Sequence, residues 1–107
     1  MGFLSIFKNF GSARKRAMSL YESGMQKAKK EDYSGAIADY TATLRLDKAP
    51  EDVKAMALFN RGLAFSVTKD IVKAREDLQS VITMQGAPSS VVTAAKEKLE
   101  RIRRREG

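Results

Sequence analysis

The sequence of 107 residues contains no cysteine, no histidine and no tryptophan. Without cysteine and histidine there is no zinc site of the usual type, no thiol nucleophile, no haem or iron–sulfur ligation and no imidazole general base. No disulfide can cross-link the chain, so its helices have to bury a core of their own. We therefore expect no metal site, no cofactor and no enzymatic activity, and a binding protein of the cytoplasm, a compartment in which proteins rarely carry disulfides.

Long apolar runs are also absent, and positive charge is concentrated at the two ends. A membrane span needs about 20 largely apolar residues, and the apolar stretches here are short. The net charge is +7, with +6 in residues 1–30, −2 in residues 31–95 and +3 in residues 96–107. Basic ends can serve an anionic partner or solubility, and we favour solubility. The run Arg101 to Arg105 has no interleaved aromatic residues, so nucleic acid is not an expected partner.

Helical spacing of apolar residues dominates the chain after residue 12, and no segment alternates with the period of two that a strand requires. Asp32 and Asp70 precede apolar segments and can cap helix N-termini, while Pro50 and Pro88 suit a first helical turn. Gly86 can close a helix C-terminus. We predict five helices, at about 13–30, 33–46, 51–68, 71–84 and 89–105.

The sequence repeats itself at a spacing of 38 residues. Residues 17–48 and 55–86 are two copies of one unit, and each unit is predicted to be a helical hairpin. Glycine inside a helix costs about 1 kcal/mol relative to alanine, so a matched pair of glycines predicts a close approach of the two helices. The shift aligns Leu20 with Leu58, Gly24 with Gly62, Asp32 with Asp70, Ala36 with Ala74, Asp39 with Asp77 and Pro50 with Pro88.

This pattern resembles the tetratricopeptide repeat, whose signature runs W-x2-L-G-x2-Y, then A-x3-F, then P. Ser23 and Arg61 replace the signature leucine, and Lys27 replaces the aromatic residue. The resemblance implies an all-α fold, a right-handed α-α superhelix of two such hairpins plus a C-terminal capping helix, in residues 13–107. The residues that carry it are Leu20, Gly24, Ala36 and Tyr40 in the first copy and Leu58, Gly62, Phe65, Ala74 and Leu78 in the second.

In that family the first helix of each hairpin lines a concave groove that receives a peptide or a helix of a partner protein. The resemblance therefore predicts a mainly apolar groove, although the same side chains could instead pack the two first helices together as core. Only Asn60 fits the family variant that clamps C-terminal carboxylates, so we do not expect that specificity. The predicted groove residues are Met18, Tyr21, Glu22, Met25, Lys29, Met56, Phe59, Asn60, Leu63 and Val67.

Residues 1–12 form a separate amphipathic segment in this interpretation, which Gly11 and Ser12 would separate from the first helix. A basic cluster, Arg14 to Arg16, follows. The segment could hold an anionic membrane surface, fold back into the groove as a cap, or enter the groove of a second copy and form a homo-oligomer. Its apolar residues are Phe3, Leu4, Ile6, Phe7 and Phe10.

Overall fold

The computed structural model describes the backbone from Gly2 to Glu106 and the side chains from Ser12 to Glu106. Within this range all regular secondary structure is helical, with no strand, as predicted. The five helices are α1 (Gly2–Lys29), α2 (Tyr33–Arg45), α3 (Glu51–Val67), α4 (Ile71–Thr83) and α5 (Ser89–Glu106).

Helices α2 to α5 begin and end within one residue of the predicted positions, but α1 does not. Helix α1 begins at Gly2 and continues through Gly11 and Ser12, where the sequence predicted a break. A single glycine costs a helix only about 1 kcal/mol, which the flanking residues can offset. The five apolar residues of the N-terminal segment belong to this helix, and their side chains lie outside the described residues.

The helix starts follow the predicted capping residues, and the two hairpin turns are alike. The Asp32 carboxylate accepts a hydrogen bond from the Gly35 amide at 2.9 Å, and Asp70 accepts one from the Lys73 amide at 3.4 Å. Pro50 is the N-cap residue of α3. Gly86 has φ of +86° but lies in the loop beyond α4, because that helix already ends at Thr83. The prediction that Gly86 ends α4 was therefore wrong.

The two helices of each hairpin approach closely at the matched glycines, as predicted. A Cβ at Gly24 would lie 2.6 Å from Cε1 of Tyr40, and one at Gly62 would lie 3.1 Å from Cγ of Leu78. Both facing side chains are fully buried. Each glycine therefore accommodates a large residue of the second helix, one turn after the alanine of the repeat.

The order of packing forms a tetratricopeptide-like superhelix. Each helix packs against the next, and α1 also contacts α3, as α3 contacts α5. Helices α2 and α4, both fully described, make no such contact with each other. The first helices of the hairpins are therefore adjacent on one side, which we call the inner face, and α2 and α4 lie on the outer side.

Helix α5 ends the array, and its apolar side is the side that packs. Ala95 and Ile102 are buried, and Val91, Val92 and Leu99 pack against the core formed with α4. The remaining faces of α5 are charged, which suits a capping helix.

The opposite end of the array is also polar. The residues of α1 that precede the buried Val53, Ala57 and Ala64 by 38 positions are exposed. They are Lys15, Ser19 and Gln26.

Candidate protein-binding face

The inner face is held together by polar contacts between α1 and α3. An ion pair joins Arg14 and Asp52, with Nη2 and Oδ2 2.8 Å apart. One side-chain N–H of Asn60 donates to the hydroxyl of Tyr21 at 2.9 Å, and the other donates to the Met56 carbonyl at 3.0 Å. The two contacts that cross between the helices join residues 38 and 39 positions apart, so the neighbouring first helices lie nearly in the register of the repeat.

Tyr21, a predicted groove residue, is part of the core. Its side chain is buried, and its ring lies 5.9 Å from that of Tyr40, centroid to centroid. Burial raises the pKa of the Tyr21 hydroxyl, and the hydrogen bond with Asn60 partly opposes that shift. Tyr21 therefore contributes chiefly to the packing of α1 against α2 and α3.

The other apolar residues of the predicted groove divide between two cores. Met18, Met25 and Met56 are half-buried and pack against the core between the first hairpin and α3. Phe59 is half-buried and packs against the second core, which includes α5. Much of the predicted floor therefore also serves as packing between adjacent helices.

The accessible part of the predicted groove lies toward the C-terminal ends of α1 and α3. Glu22 and Lys29 are exposed, and Leu63 is half-buried without belonging to either core described. Val67 has 54% of its surface exposed. On the outer side, Val72 of α4 is similarly exposed, at 61%. Leu63 and Val67 are therefore the apolar side chains that a ligand on the inner face would reach most readily.

Helix α5 supplies a third part of the inner face that the sequence analysis missed. Val91, Ala95 and Ile102 pack inward on α5, as the residues 38 positions earlier do on α3. The same shift places Lys98, Arg101 and Arg105 at the positions of Asn60, Leu63 and Val67. A second application of the 38-residue shift would have found them, although α5 lacks the glycine and alanine of the repeat. We call these three cations the α5 ridge.

The charges of the α5 ridge act on one another. Burial, followed by repulsion from Arg105 and Arg101, lowers the pKa of the Lys98 ammonium. Among the described side chains, no ion pair involves any of the three. Their neighbours Arg103 and Arg104, in contrast, both pair with Glu100. None of the three ridge cations is therefore in an ion pair with a described carboxylate, and Arg101 borders the same surface depression as Glu97 and Glu100.

The repeat-matched aspartates hold each hairpin together. The buried Asp77 accepts two hydrogen bonds from Arg61, from Nε and Nη2, both at 2.8 Å. Nη1 of Arg61 donates to the Thr41 hydroxyl at 3.0 Å, which ties the second hairpin to α2 of the first. The Asp77 carboxylate raises the pKa of Arg61. Arg61 departs from the repeat signature because it is the partner of this carboxylate.

In the first hairpin the matching aspartate has two partners, a hydroxyl and an ammonium group, in place of one guanidinium group. Asp39 accepts a hydrogen bond from the Ser23 hydroxyl at 2.6 Å and lies 3.0 Å from Nζ of Lys27. Burial acts to raise the pKa of Asp39, but the hydroxyl and the ammonium together outweigh it and hold the pKa below its ordinary value. Ser23 and Lys27, the other two departures from the signature, are explained by this contact.

Within the described residues, no group of three or more Asp or Glu side chains is arranged to hold a metal ion. Every buried polar side-chain atom described has a hydrogen-bond partner. None of the described helices is long and apolar enough to cross a membrane.

Comparison with known proteins gives one relative of modest similarity. The chain is 32% identical over 69 residues to a peptidyl-prolyl cis-trans isomerase D of Kluyveromyces lactis. The match covers 64% of this chain but only 18% of that protein, so the chain spans less than a fifth of the relative's length. No protein-family model matches the chain. No solved structure matches it either.

Proposed function

We propose that the chain is a protein-interaction module of the tetratricopeptide type, acting as an adaptor or scaffold in the cytoplasm. In this proposal the inner face formed by α1, α3 and α5 binds a peptide or helix of a partner protein. The observation that carries it is the packing order, because α1, α3 and α5 contact one another in turn while α2 and α4 do not. Similarity to a segment of a larger protein supports a module of this kind.

Binding would bury the accessible apolar surface of the inner face. Val67 is exposed and Leu63 is half-buried. Contact with a partner's apolar side chains would stabilise the complex by about 25 cal/mol for each Å² of apolar surface removed from water. Glu22, Lys29 and Asn60 border this surface and would orient the partner. We propose binding rather than catalysis, because Asp39 and Asp77 are both occupied by structural partners.

A matched pair of substitutions tests this function. Val67→Glu places a charge on the inner face, and Val72→Glu places the same charge on the outer side at a similarly exposed position. Affinity capture from lysate should yield a partner with the wild type and with Val72→Glu, and lose it with Val67→Glu. Equal capture by all three proteins, with unchanged helicity, would show that the inner face is not the binding surface.

A second candidate function concerns the N-terminal segment. Helix α1 begins at Gly2, so this segment is helical, and its sequence combines three phenylalanines with a following basic cluster. Such a helix could bind an anionic membrane surface or a second copy of the chain. Sedimentation with anionic vesicles and the mass in solution, each with and without residues 1–11, test it. An unchanged result in both assays after the deletion would exclude this candidate.

A further inference from the structure

We infer that the partner segment is acidic, with carboxylates that contact the α5 ridge and apolar side chains that contact Leu63 and Val67 of α3. This inference rests on the proposed function, because it specifies the ligand of the same inner face. It assigns the ridge, Lys98, Arg101 and Arg105, the role of choosing among partners.

The first support is the state of the ridge charges. Lys98 is half-buried, and the pKa of its ammonium is lowered first by burial and then by repulsion from Arg105 and Arg101. No described carboxylate pairs with any of them. A partner carboxylate would relieve this repulsion, so charge complementarity favours an acidic ligand.

The second support is the net charge of the described part of the inner face. In the register of the repeat, the ridge and Lys29 give four cations at inner positions, against the two carboxylates of Glu22 and Glu97. The described part of the inner face is therefore positive by two charges. The positive side is α5, and the apolar side is α3.

The third support is the neighbourhood of the ridge. In the 38-residue register, Arg101 and Arg105 of α5 occupy the positions that Leu63 and Val67 occupy on α3, the helix that α5 also contacts. A nucleic acid or a phosphate-rich surface would be served by a broader row of cations without apolar neighbours or carboxylates. Alternation of apolar and basic positions fits a polypeptide that carries both leucine-like and acidic side chains.

The dimensions fit a short segment. Adjacent helices pack about 8–10 Å apart, so a chain that crosses from α1 over α3 to α5 covers about 20 Å. An extended chain rises about 3.3 Å per residue and needs about six residues for this distance. The part of such a segment over α3 would be apolar, and its end over α5 would be acidic.

Blocked synthetic peptides of about eight residues test the inference, since they exceed this span. The acidic probe has a leucine-containing half and a glutamate-containing half, and a second version has the two halves in the reverse order. Control probes replace Glu by Gln, Glu by Lys, or Leu by Ser. Both termini are blocked, so a terminal carboxylate cannot account for binding. Binding is followed by fluorescence anisotropy with the full chain.

The protein variants remove equal charge from two sides of α5. The ridge variant is Lys98→Gln, Arg101→Gln, Arg105→Gln, and the matched control is Lys96→Gln, Arg103→Gln, Arg104→Gln. Each exposed ion pair contributes modestly to binding, so the loss of three should make the ridge variant bind the acidic probe about tenfold more weakly. The control variant should bind within about threefold of the wild type. Added salt should weaken the wild type more than the ridge variant.

The outcomes separate this inference from the proposed function. No preference for Glu over Gln probes, equal loss in both variants, or no binding of either acidic probe at about 1 mM would overturn the acidic ligand. Binding of single-stranded DNA or anionic vesicles through the ridge, with no acidic-peptide binding, would also overturn it. If Val67→Glu still loses the captured partner in those cases, the proposed function stands.

Discussion

The side-chain amide of Asn60 donates a hydrogen bond to the hydroxyl of Tyr21 and so joins the first helices of successive hairpins. The bond lies between a half-buried donor and a buried acceptor, on the side where α1 and α3 meet. It fixes the register that places the residues of α3 beside those of α1.

Removal of this hydrogen bond should cost a modest part of the stability. Tyr21→Phe keeps the ring in the core but leaves one N–H of Asn60 without its partner. We expect the free energy of unfolding to fall by about 1 kcal/mol, measured by urea denaturation. Tyr33→Phe is the matched control, because the Tyr33 hydroxyl is not among the described hydrogen bonds, and it should change stability by less than about 0.5 kcal/mol. Equal effects of the two substitutions would contradict this role.

The two glycines of the repeat should not respond equally to alanine. At Gly24 the new methyl would lie 2.6 Å from a ring carbon of the fully buried Tyr40, which cannot move without disturbing the core. At Gly62 the nearest atom is 3.1 Å away, on Leu78. We expect Gly24→Ala to destabilise the fold by about 1–3 kcal/mol, from overpacking.

Gly62→Ala should be closer to neutral, because the gain in helix propensity of about 1 kcal/mol offsets a smaller clash. The same denaturation measurement compares the two variants. A larger loss at Gly62 than at Gly24 would show that the Tyr40 contact does not limit the approach of α1 and α2.

Tyr40 should make the fold sensitive to alkali. Burial, with smaller effects of the charges on Tyr21 and Asp39, raises the pKa of Tyr40 to about 12. Because the folded pKa is above the unfolded value of about 10, this contribution is complete below pH 10 and is lost as the pH rises toward 12. Stability should fall by about 2–3 kcal/mol over that range because of this residue.

Comparison with Tyr40→Phe isolates the effect, since other groups also titrate at high pH. The variant should differ little from the wild type at pH 7 and should lose less stability between pH 10 and 12. Parallel stability curves for the two proteins across that range would contradict the assignment. Tyrosinate absorbance of the folded wild type gives an independent value for the pKa.

The two aspartate contacts should differ in strength. Asp77 is only 5% exposed and has one cationic partner, so Arg61→Met leaves a buried carboxylate without compensation. We expect a loss of about 2–3 kcal/mol, most of which the double variant Arg61→Met, Asp77→Leu should recover. Lys27→Met should cost under about 1 kcal/mol, because 42% of the Lys27 side chain is in contact with solvent and Asp39 keeps its bond to Ser23. Double-mutant cycles measure both couplings.

Most of the fold could be predicted from the sequence because its local signals agree. The capping aspartates, the two prolines and the spacing of apolar residues all indicate the same ends for α2 to α5. The start of α1 could not be predicted, because one glycine carries too small a cost to decide whether a helix continues.

The candidate site was less predictable, because helical periodicity shows that a face is apolar but not which neighbour covers it. Tyr21 has the spacing of a groove residue but is buried in the core. Val67 near the end of α3 has the same kind of spacing and stays exposed. The partners of Asp39 and Asp77 were hidden for a different reason. They are the residues that depart from the repeat signature, and only the packed hairpins bring them to the carboxylates.

The central claim, that the inner face receives a partner protein, is tested most directly by photo-crosslinking. The photoreactive residue p-benzoylphenylalanine is placed at Val67 on the inner face and, in a second protein, at Val72 on the outer side. Both positions are exposed to a similar degree. We predict a defined adduct with one partner protein from position 67 and none from position 72. Adducts from position 72 alone, or the same adducts from both positions, would contradict the account.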